Sequence, residues 1–380
     1  MENPTVLVLA TLETKSEEVE YLTRCLSDHQ VSSDIIDTSL KTDGTMLDGA
    51  AKLDAMNASI VSSIEAITAK LDFGVNAILG LGGGTGGEIA LHVMRALPIT
   101  FPKVLVTTLP FDPRIAVADS SIVLVPTLAD ICGLNATLRE VIENAAAMTA
   151  GLCATRRQAN ACVESPSIGI TALGATESAV THLLPELKRR GQETTVFHAN
   201  GYGGAAFARF GERGALHTII DLTPHELTRI HVAGAHVDMP NRFSVGLDLP
   251  RIVLPGGLNF IGLGERSLVP SRFLDRPHYE HSGFFTHAKA TPEEMSLVAR
   301  LLVESINATI GPATLIVPMG GFSHRDCPGG EIEDPELRQV FLDEAKKHLR
   351  SDVGLKIIDA HISSPAITQG ILETLDTHPA

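Results

Sequence analysis

The densest chemistry in this sequence lies in a run of glycines. Six of the eight residues from Gly80 to Gly87 are glycine, with Thr85 the one hydroxyl among them. Where a helix follows such a run, bare main-chain N–H groups stand at the positive end of its dipole, as a phosphate or carboxylate requires. Gly82, Gly83, Gly84, Thr85, Gly86 and Gly87 are therefore the first candidate ligand residues. No Lys-Ser/Thr pair closes the run, which excludes a Walker A loop. A G-x-G-x-x-G does occur from Gly82 to Gly87, but a run this rich matches it by composition alone. The other reading is a tight βα turn whose glycines serve close helix packing.

Three further groups carry chemistry. His198 ends an apolar run before Asn200-Gly201-Tyr202-Gly203-Gly204, where a general base or phosphate donor would stand; the alternative is a core histidine. Gly320 to Asp326 puts the hydroxyl of Ser323, an imidazole, a guanidinium and the carboxylate of Asp326 just after a strand. His198, Ser323 and Asp326 are the expected catalytic residues, and Arg276, His281, Gly203 and Gly204 the expected substrate binders. The alternative for the Ser323 segment is a polar surface turn. Asp37 ends the second strand where a ribose-binding acid stands in nucleotide folds, or is a turn residue. His281, His287, His324 and His361 with Asp326 and Glu331 show no helical i, i+4 pair and no H-E-x-x-H, so no metal held by protein ligands alone is expected. A Mg²⁺ that arrives with a nucleotide needs only one or two carboxylates.

The elements that must position these residues alternate. Thr5 to Ala10 reads as a strand, followed by a helix with Val19, Leu22 and Leu26 on one face and a Thr14/Glu17 capping box. Val31 to Ile36 is a second strand and Leu47 to Leu71 a long helix in two parts. The apolar run before Gly80 is a third strand, and Ile89, Val93 and Leu97 stripe a helix that Pro98 stops. Val104 to Thr107 and Ile122 to Val125 are strands, and Leu134 to Met148 stripes a helix. This alternation predicts a parallel sheet covered on both faces, with its crevice at the carboxyl ends of the strands.

Periodicity weakens from Leu152 to Ser167, which places a boundary between a nucleotide-binding α/β domain at 1–160 and a second α/β domain at 161–380. In the second, Ser167 to Ala172, Thr194 to His198, Ile219 to Leu222, Ile252 to Leu254, Leu315 to Val317 and Lys356 to Ile358 read as strands. Thr223 to Glu226 reads as a capping box. Val237 to Lys289 is irregular and reads as a binding loop. The fold class expected is α/β, two Rossmann-like subdomains with mainly parallel sheets covered by helices on both faces. Strand ends share one edge, so His198, Ser323 and Asp326 are expected to converge there, near the first domain's glycine loop, with the ligand in a cleft between the domains.

Composition narrows the partners. A net charge of −15 with no basic run argues against nucleic acid or an anionic membrane. No apolar run reaches the ~20 residues of a membrane span. Five cysteines without a C-x-x-C pair indicate neither a disulfide framework nor a zinc ribbon, and point to a reduced, cytoplasmic setting.

Colinear blocks add a resemblance. They are TLETK at Thr11, GLGGGTGG with MRALP through Pro98, PKVLVTT at Pro102, LADICGLN at Leu128, ENAA at Glu143, FHANGYGG at Phe197, DLTPHEL at Asp221, PGGL at Pro255, TPEE at Thr291, GGFSHRD at Gly320 and HISSP at His361. The chain resembles the ATP-binding family typified by the amino-terminal region of the tomato mosaic virus resistance protein. That resemblance implies two α/β subdomains, a nucleotide between strand ends and glycine loops, and a homodimer or higher homo-oligomer. Thr11, Thr14 and Lys15, with Gly82 to Gly87, are the nucleotide residues it implies, for ATP with Mg²⁺. The alternatives are a metabolic enzyme (lyase, isomerase or hydrolase) on a small phosphorylated or carboxylated compound, and a non-catalytic regulatory dimer.

Overall fold

The computed structural model describes residues 3–42, 45–71, 73–159, 166–234 and 239–378, with backbone alone at 115–116 and 155–159. It divides into two compact units, Met1–Val163 and Glu164–Ala380. The boundary expected at 160 lies outside the described residues.

The first unit runs β1 (Thr5–Ala10), α1 (Leu12–Asp28), β2 (Ser32–Asp37), α2 (Gly49–Leu71), β3 (Val75–Gly82), α3 (Gly84–Ala96), β4 (Lys103–Thr107), α4 (Pro113–Ala116), β5 (Val123–Pro126) and α5 (Ala136–Ala159). The strands form one parallel sheet in the order β2-β1-β3-β4-β5. Alternate residues of β1 explain its two covered faces. Val6 and Val8 pack with Val19 and Leu22 of α1 and Leu138 and Ile142 of α5. Leu7 and Leu9 pack with Met56 and Ile67 of α2 and Ile89 and Val93 of α3. A strand buried on both faces has to be apolar without alternation, which is how TVLVLA reads.

The second unit runs β6 (Ser167–Ala172), α6 (Glu177–Arg189), β7 (Thr194–His198), α7 (Tyr202–Glu212), β8 (Leu216–Asp221), α8 (Glu226–His231), β9 (Arg251–Val253), β10 (Phe260–Leu263), α9 (Ser271–Leu274), β11 (His278–Ser282), β12 (Phe285–Lys289), α10 (Pro292–Asn307), β13 (Ala313–Pro318), α11 (Pro335–His348), β14 (Gly354–Ile358) and α12 (Pro365–Thr377). Its main sheet is parallel, in the order β14-β13-β9-β8-β6-β7. Ile168, Ile170 and Ile220 face α6 and α12, while Val253, Leu315 and Val317 face α10 and α11. The expected fold class is the one observed.

Three local readings are corrected. The segment read as a binding loop contains an antiparallel sheet, β10-β12-β11. Helix α1 starts at Leu12, before Thr14, and has a non-helical residue at Lys15 (φ −130°, ψ 21°), so Thr14 does not head a capping box. Thr223 makes no cap either: its hydroxyl pairs with that of Thr176 at 2.8 Å, and α8 starts without a side-chain cap.

Candidate functional site

In an open parallel sheet the ligand crevice lies where strand order reverses, at the carboxyl ends. In the first sheet that point falls between β1 and β3, and in the second between β6 and β8. Each unit therefore has its own candidate edge.

At the first edge the turn after β3 meets the turn after β1. A Cβ on Gly86 would lie 2.8 Å from Thr11 Oγ1, and one on Gly82 2.4 Å from the Gly87 nitrogen. A Cβ on Gly87 would lie 2.9 Å from both the Gly82 carbonyl and Thr107 Oγ1. These three glycines are there for close approach of backbone and side chain. None of the six from Gly80 to Gly87 has a positive φ. Gly84 differs: no atom lies within 4 Å of its would-be Cβ, and Gly83 meets only Thr108 Oγ1 at 3.7 Å. The open side of the turn is thus Gly83, Gly84 and Thr85, at the start of α3.

The other helix starts along this edge are closed by side-chain oxygens. Asp37 Oδ1 accepts from the Leu12 nitrogen at 3.1 Å and Ser39 Oγ from the Glu13 nitrogen at 3.1 Å, closing α1. Asp48 Oδ1 takes the Ala51 nitrogen of α2 at 2.8 Å, Asp112 Oδ1 the Arg114 nitrogen of α4 at 2.9 Å, and Asn135 Oδ1 the Leu138 nitrogen of α5 at 2.9 Å. Among the described residues of the first unit, α3 is the helix along this edge whose first amides meet no side-chain oxygen, its N-cap being Gly83. The first N–H groups of a helix have no partner within it, so those of α3 are the donors available to a ligand.

Asp37 is placed at this edge but is already engaged. Its Oδ1 also accepts from the Ser39 nitrogen at 3.0 Å and the Ser39 hydroxyl at 2.5 Å. Partial burial pushes its pKa up, and the bonds from Ser39 and Leu12 outweigh that, so it is held below the ordinary carboxylate range. Oδ2 makes no hydrogen bond among the described residues and is the oxygen that a sugar hydroxyl or a hydrated Mg²⁺ would use. Thr14 and Lys15 lie in the first turn of α1, with both nitrogens bonded to the Thr11 carbonyl. For a phosphate chain the donor set fits: main-chain amides of α3, with the hydroxyls of Thr11, Thr85 and Thr108 around them. Sequence reasoning left out Thr107 and Thr108, although the PKVLVTT block ends on them. It also left out Leu109 and Leu128, whose φ values of 52° and 59° hold the loops after β4 and β5 in a strained backbone region.

At the second edge the expected residues separate. His198 ends β7, the outer strand, and is exposed, while Ser323 follows β13, four strands away in the sheet order. Ser323 is fully buried, its hydroxyl accepting from Asn259 Nδ2 at 2.9 Å. Asp326 is buried too: Oδ2 accepts from the Phe322 nitrogen at 2.8 Å, Oδ1 from the Asp334 nitrogen at 3.1 Å, and Arg338 pairs with it. These two hold the Gly320–Asp334 loop together, and His198 does not converge with them. Arg276 makes a two-point ion pair with Glu294 at 2.6 and 3.1 Å beneath the start of α10, a packing role. A Cβ on Gly203 would lie 2.1 Å from the His198 carbonyl, and one on Gly204 2.7 Å from Glu226 Oε1, so both serve close packing beside Gly201, which carries the positive φ of 98°.

What does assemble here is a ladder of four rings. His281, exposed, stacks on His287 (centroids 5.3 Å apart), His287 on Phe260 (4.5 Å), and Phe260 on the fully buried His225 (4.5 Å). Its outer end abuts the loop after β6, with His281 Nε2 3.8 Å from the would-be Cβ of Gly174. Tyr279 hydroxyl and His287 Nδ1 are 2.8 Å apart, and Arg325 lies over the Tyr279 ring. Burial, with His281 and the Arg229 guanidinium, pushes His287 down to about 3. Burial and Arg229 likewise hold His225 well below the ordinary range and lower His198. At neutral pH His225 and His287 are uncharged. His225 Nδ1 donates to the Gly257 carbonyl at 2.7 Å, which leaves Nε2 as a buried acceptor without a partner among the described residues. The sequence displayed these rings, but their spacing belongs to no local period.

Comparison with known proteins bears on both edges. The model of the C-terminal domain of the uncharacterised protein family UPF0261 matches residues 165–378, and that of its N-terminal domain residues 45–158. The chain belongs to the UPF0261 family. A UPF0261 protein of Brucella suis biovar 1 is 26% identical over 407 positions, covering 98% of this chain and 95% of that protein. One of Rhizobium meliloti is 29% identical and covers 96% of each. The ToMV resistance protein Tm-1 of Solanum lycopersicum is 27% identical over 306 positions, 78% of this chain but 41% of that longer protein.

In UPF0261 terms, the glycine turn falls in the N-terminal domain and the ring ladder in the C-terminal domain. Among the described residues no three His, Cys, Asp or Glu side chains are arranged to hold a metal ion, and no helix is long and apolar enough to cross a membrane.

Proposed function

We propose that the first unit is a nucleotide-binding module, taking ATP with Mg²⁺ through the uncapped start of α3. One observation carries this reading: every other helix start along that edge is closed by Asp37 and Ser39, Asp48, Asp112 or Asn135, and α3 opens on glycines instead. A protein that needed the turn only for packing would still gain from a side-chain cap in place of Gly83, by about a few tenths of a kcal/mol. The strand-order reversal and the resemblance to an ATP-binding family point to the same place. The reading extends to a cytoplasmic homodimer or higher homo-oligomer.

The test is thermal unfolding with Mg-ATP. Binding to the folded state alone stabilises by roughly 2.7 kcal/mol at a hundredfold excess over Kd. Gly84→Val, whose Cβ would meet no atom within 4 Å, is expected to fold normally and lose the response. No shift with millimolar Mg-ATP or Mg-ADP would refute the reading.

The ring ladder favours a second reading, in which the other unit acts on a small phosphorylated or carboxylated compound. A neutral imidazole whose Nδ1 is held by a carbonyl and whose Nε2 lacks a partner among the described residues is arranged as a base or acceptor. His225→Gln is then expected to abolish turnover of the true substrate; unchanged turnover would return His225 to a packing role.

A further inference from the structure

Beside the glycine turn lies an open depression of about 880 Å³, within the range of small-molecule sites. Its floor is the groove between α2 and α3, with Met56 and Leu91 at the bottom and Leu53 and Phe111 on the walls. Leu53 is 58% exposed, although it lies on the first turns of a helix with polar neighbours on its outer face. The polar rim is unevenly committed. Arg95 is held by Asp119 at 3.0 and 2.9 Å, and Asp112 by Arg114 at 3.0 and 2.7 Å. Lys52 and Glu88, also on the rim, make no ion pair among the described residues. Gly84 and Thr85, the open side of the turn, line the same depression.

We propose that this depression holds the planar base of the nucleotide whose phosphates lie on the α3 amides, so that the first unit selects nucleotides over inorganic polyphosphate. The proposal rests on the nucleotide reading above. A phosphate chain would need only the amides and hydroxyls of the turn. An apolar recess opening directly onto that turn, too large for a phosphate and carrying both a cation and a carboxylate at its rim, matches a ring with an apolar face and polar edges. An aliphatic tail is the less suitable occupant, because it would leave Lys52 and Glu88 without a role.

The experiment compares Mg-ATP with Mg-tripolyphosphate by calorimetry on the full chain. Two variants alter the depression alone: Leu53→Gln removes an apolar wall, and Gly49→Leu fills space where no atom lies within 4 Å. Both are expected to weaken ATP about tenfold or more and leave tripolyphosphate unchanged. Their unfolding temperatures without ligand serve as the check on folding. Equal loss of both ligands, or no loss of ATP, would overturn the base site while the phosphate site stands. Binding of neither ligand by the unaltered protein would bring down the nucleotide reading itself, and the base site with it.

Discussion

The meeting of Thr11 with Gly86 is the geometric core of the first site, and it can be measured. In Gly86→Ala the new methyl would lie 2.8 Å from Thr11 Oγ1, with Thr11 Cβ the next atom at 3.9 Å. Overpacking of this kind costs about 1–3 kcal/mol. Against it, replacing glycine by alanine inside a helix gains about 0.5–1 kcal/mol. Gly86→Ala alone is therefore expected to lose roughly 1 kcal/mol. In a Thr11→Ala background the offending oxygen is gone, and the same substitution should stabilise by about 0.5–1 kcal/mol. The coupling in the four-protein cycle is then about 1–3 kcal/mol. Urea unfolding provides the assay, followed through the transition of the first unit because a two-unit chain need not unfold in one step. Additivity within about 0.5 kcal/mol would show that the two turns do not meet, and the strand-reversal argument would lose its footing.

Other outcomes follow from the same coordinates. Gly82→Ala, whose methyl would press on main-chain atoms of Gly86 and Gly87 that no side-chain rotation can relieve, is expected to destabilise by about 3 kcal/mol, against a small gain for Gly84→Ala, read by thermal unfolding. Asp326→Asn leaves Arg338 buried without its counter-charge and should cost about 3–5 kcal/mol in denaturant unfolding; a loss of activity without loss of stability would restore Asp326 as a chemical group. His287, depressed to about 3, adds stability that is fully present above its unfolded value near 6.5 and is lost as pH falls toward 3. His287→Phe, which keeps the stack, should flatten the fall in stability between pH 6 and 4 by up to about 1.4 kcal/mol per pH unit, and an unchanged slope would show that the ring is not held neutral.

How much of this was legible in the sequence depended on range. Continuous apolar runs such as TVLVLA announce strands buried on both faces, and the Ile89, Val93, Leu97 stripe announces a helix, because these signals are local. The glycine turn was legible for the same reason, but which glycines face outward was not, since that is decided by Thr11, Thr107 and Thr108 from other strands. Asp326 and Arg276 show the opposite failure. Charged residues at a strand end or in a polar segment read as reactive groups, while the partners that occupy them, Arg338 and Glu294, lie 12 and 18 residues away and came from different elements. The β10-β12-β11 sheet escaped because its strands are short and its hairpin residues, Gly283 and Phe284, separate runs of mixed polarity. His225 and His287 are brought together only by that sheet.

The second sheet also fixes an order of events during synthesis. Strand β9 lies between β8 and β13, yet β13 emerges only after the whole antiparallel sheet and α10 have been made, about 60 residues later, a closure whose entropic penalty grows with the length of chain enclosed. Until then Arg251, Ile252 and Val253, fully covered in the finished fold, stand as an unpaired edge. A ribosome that stalls in this interval presents an unpaired strand to its neighbours, so premature release between α9 and β13 leaves that edge open to aggregation and to chaperone capture.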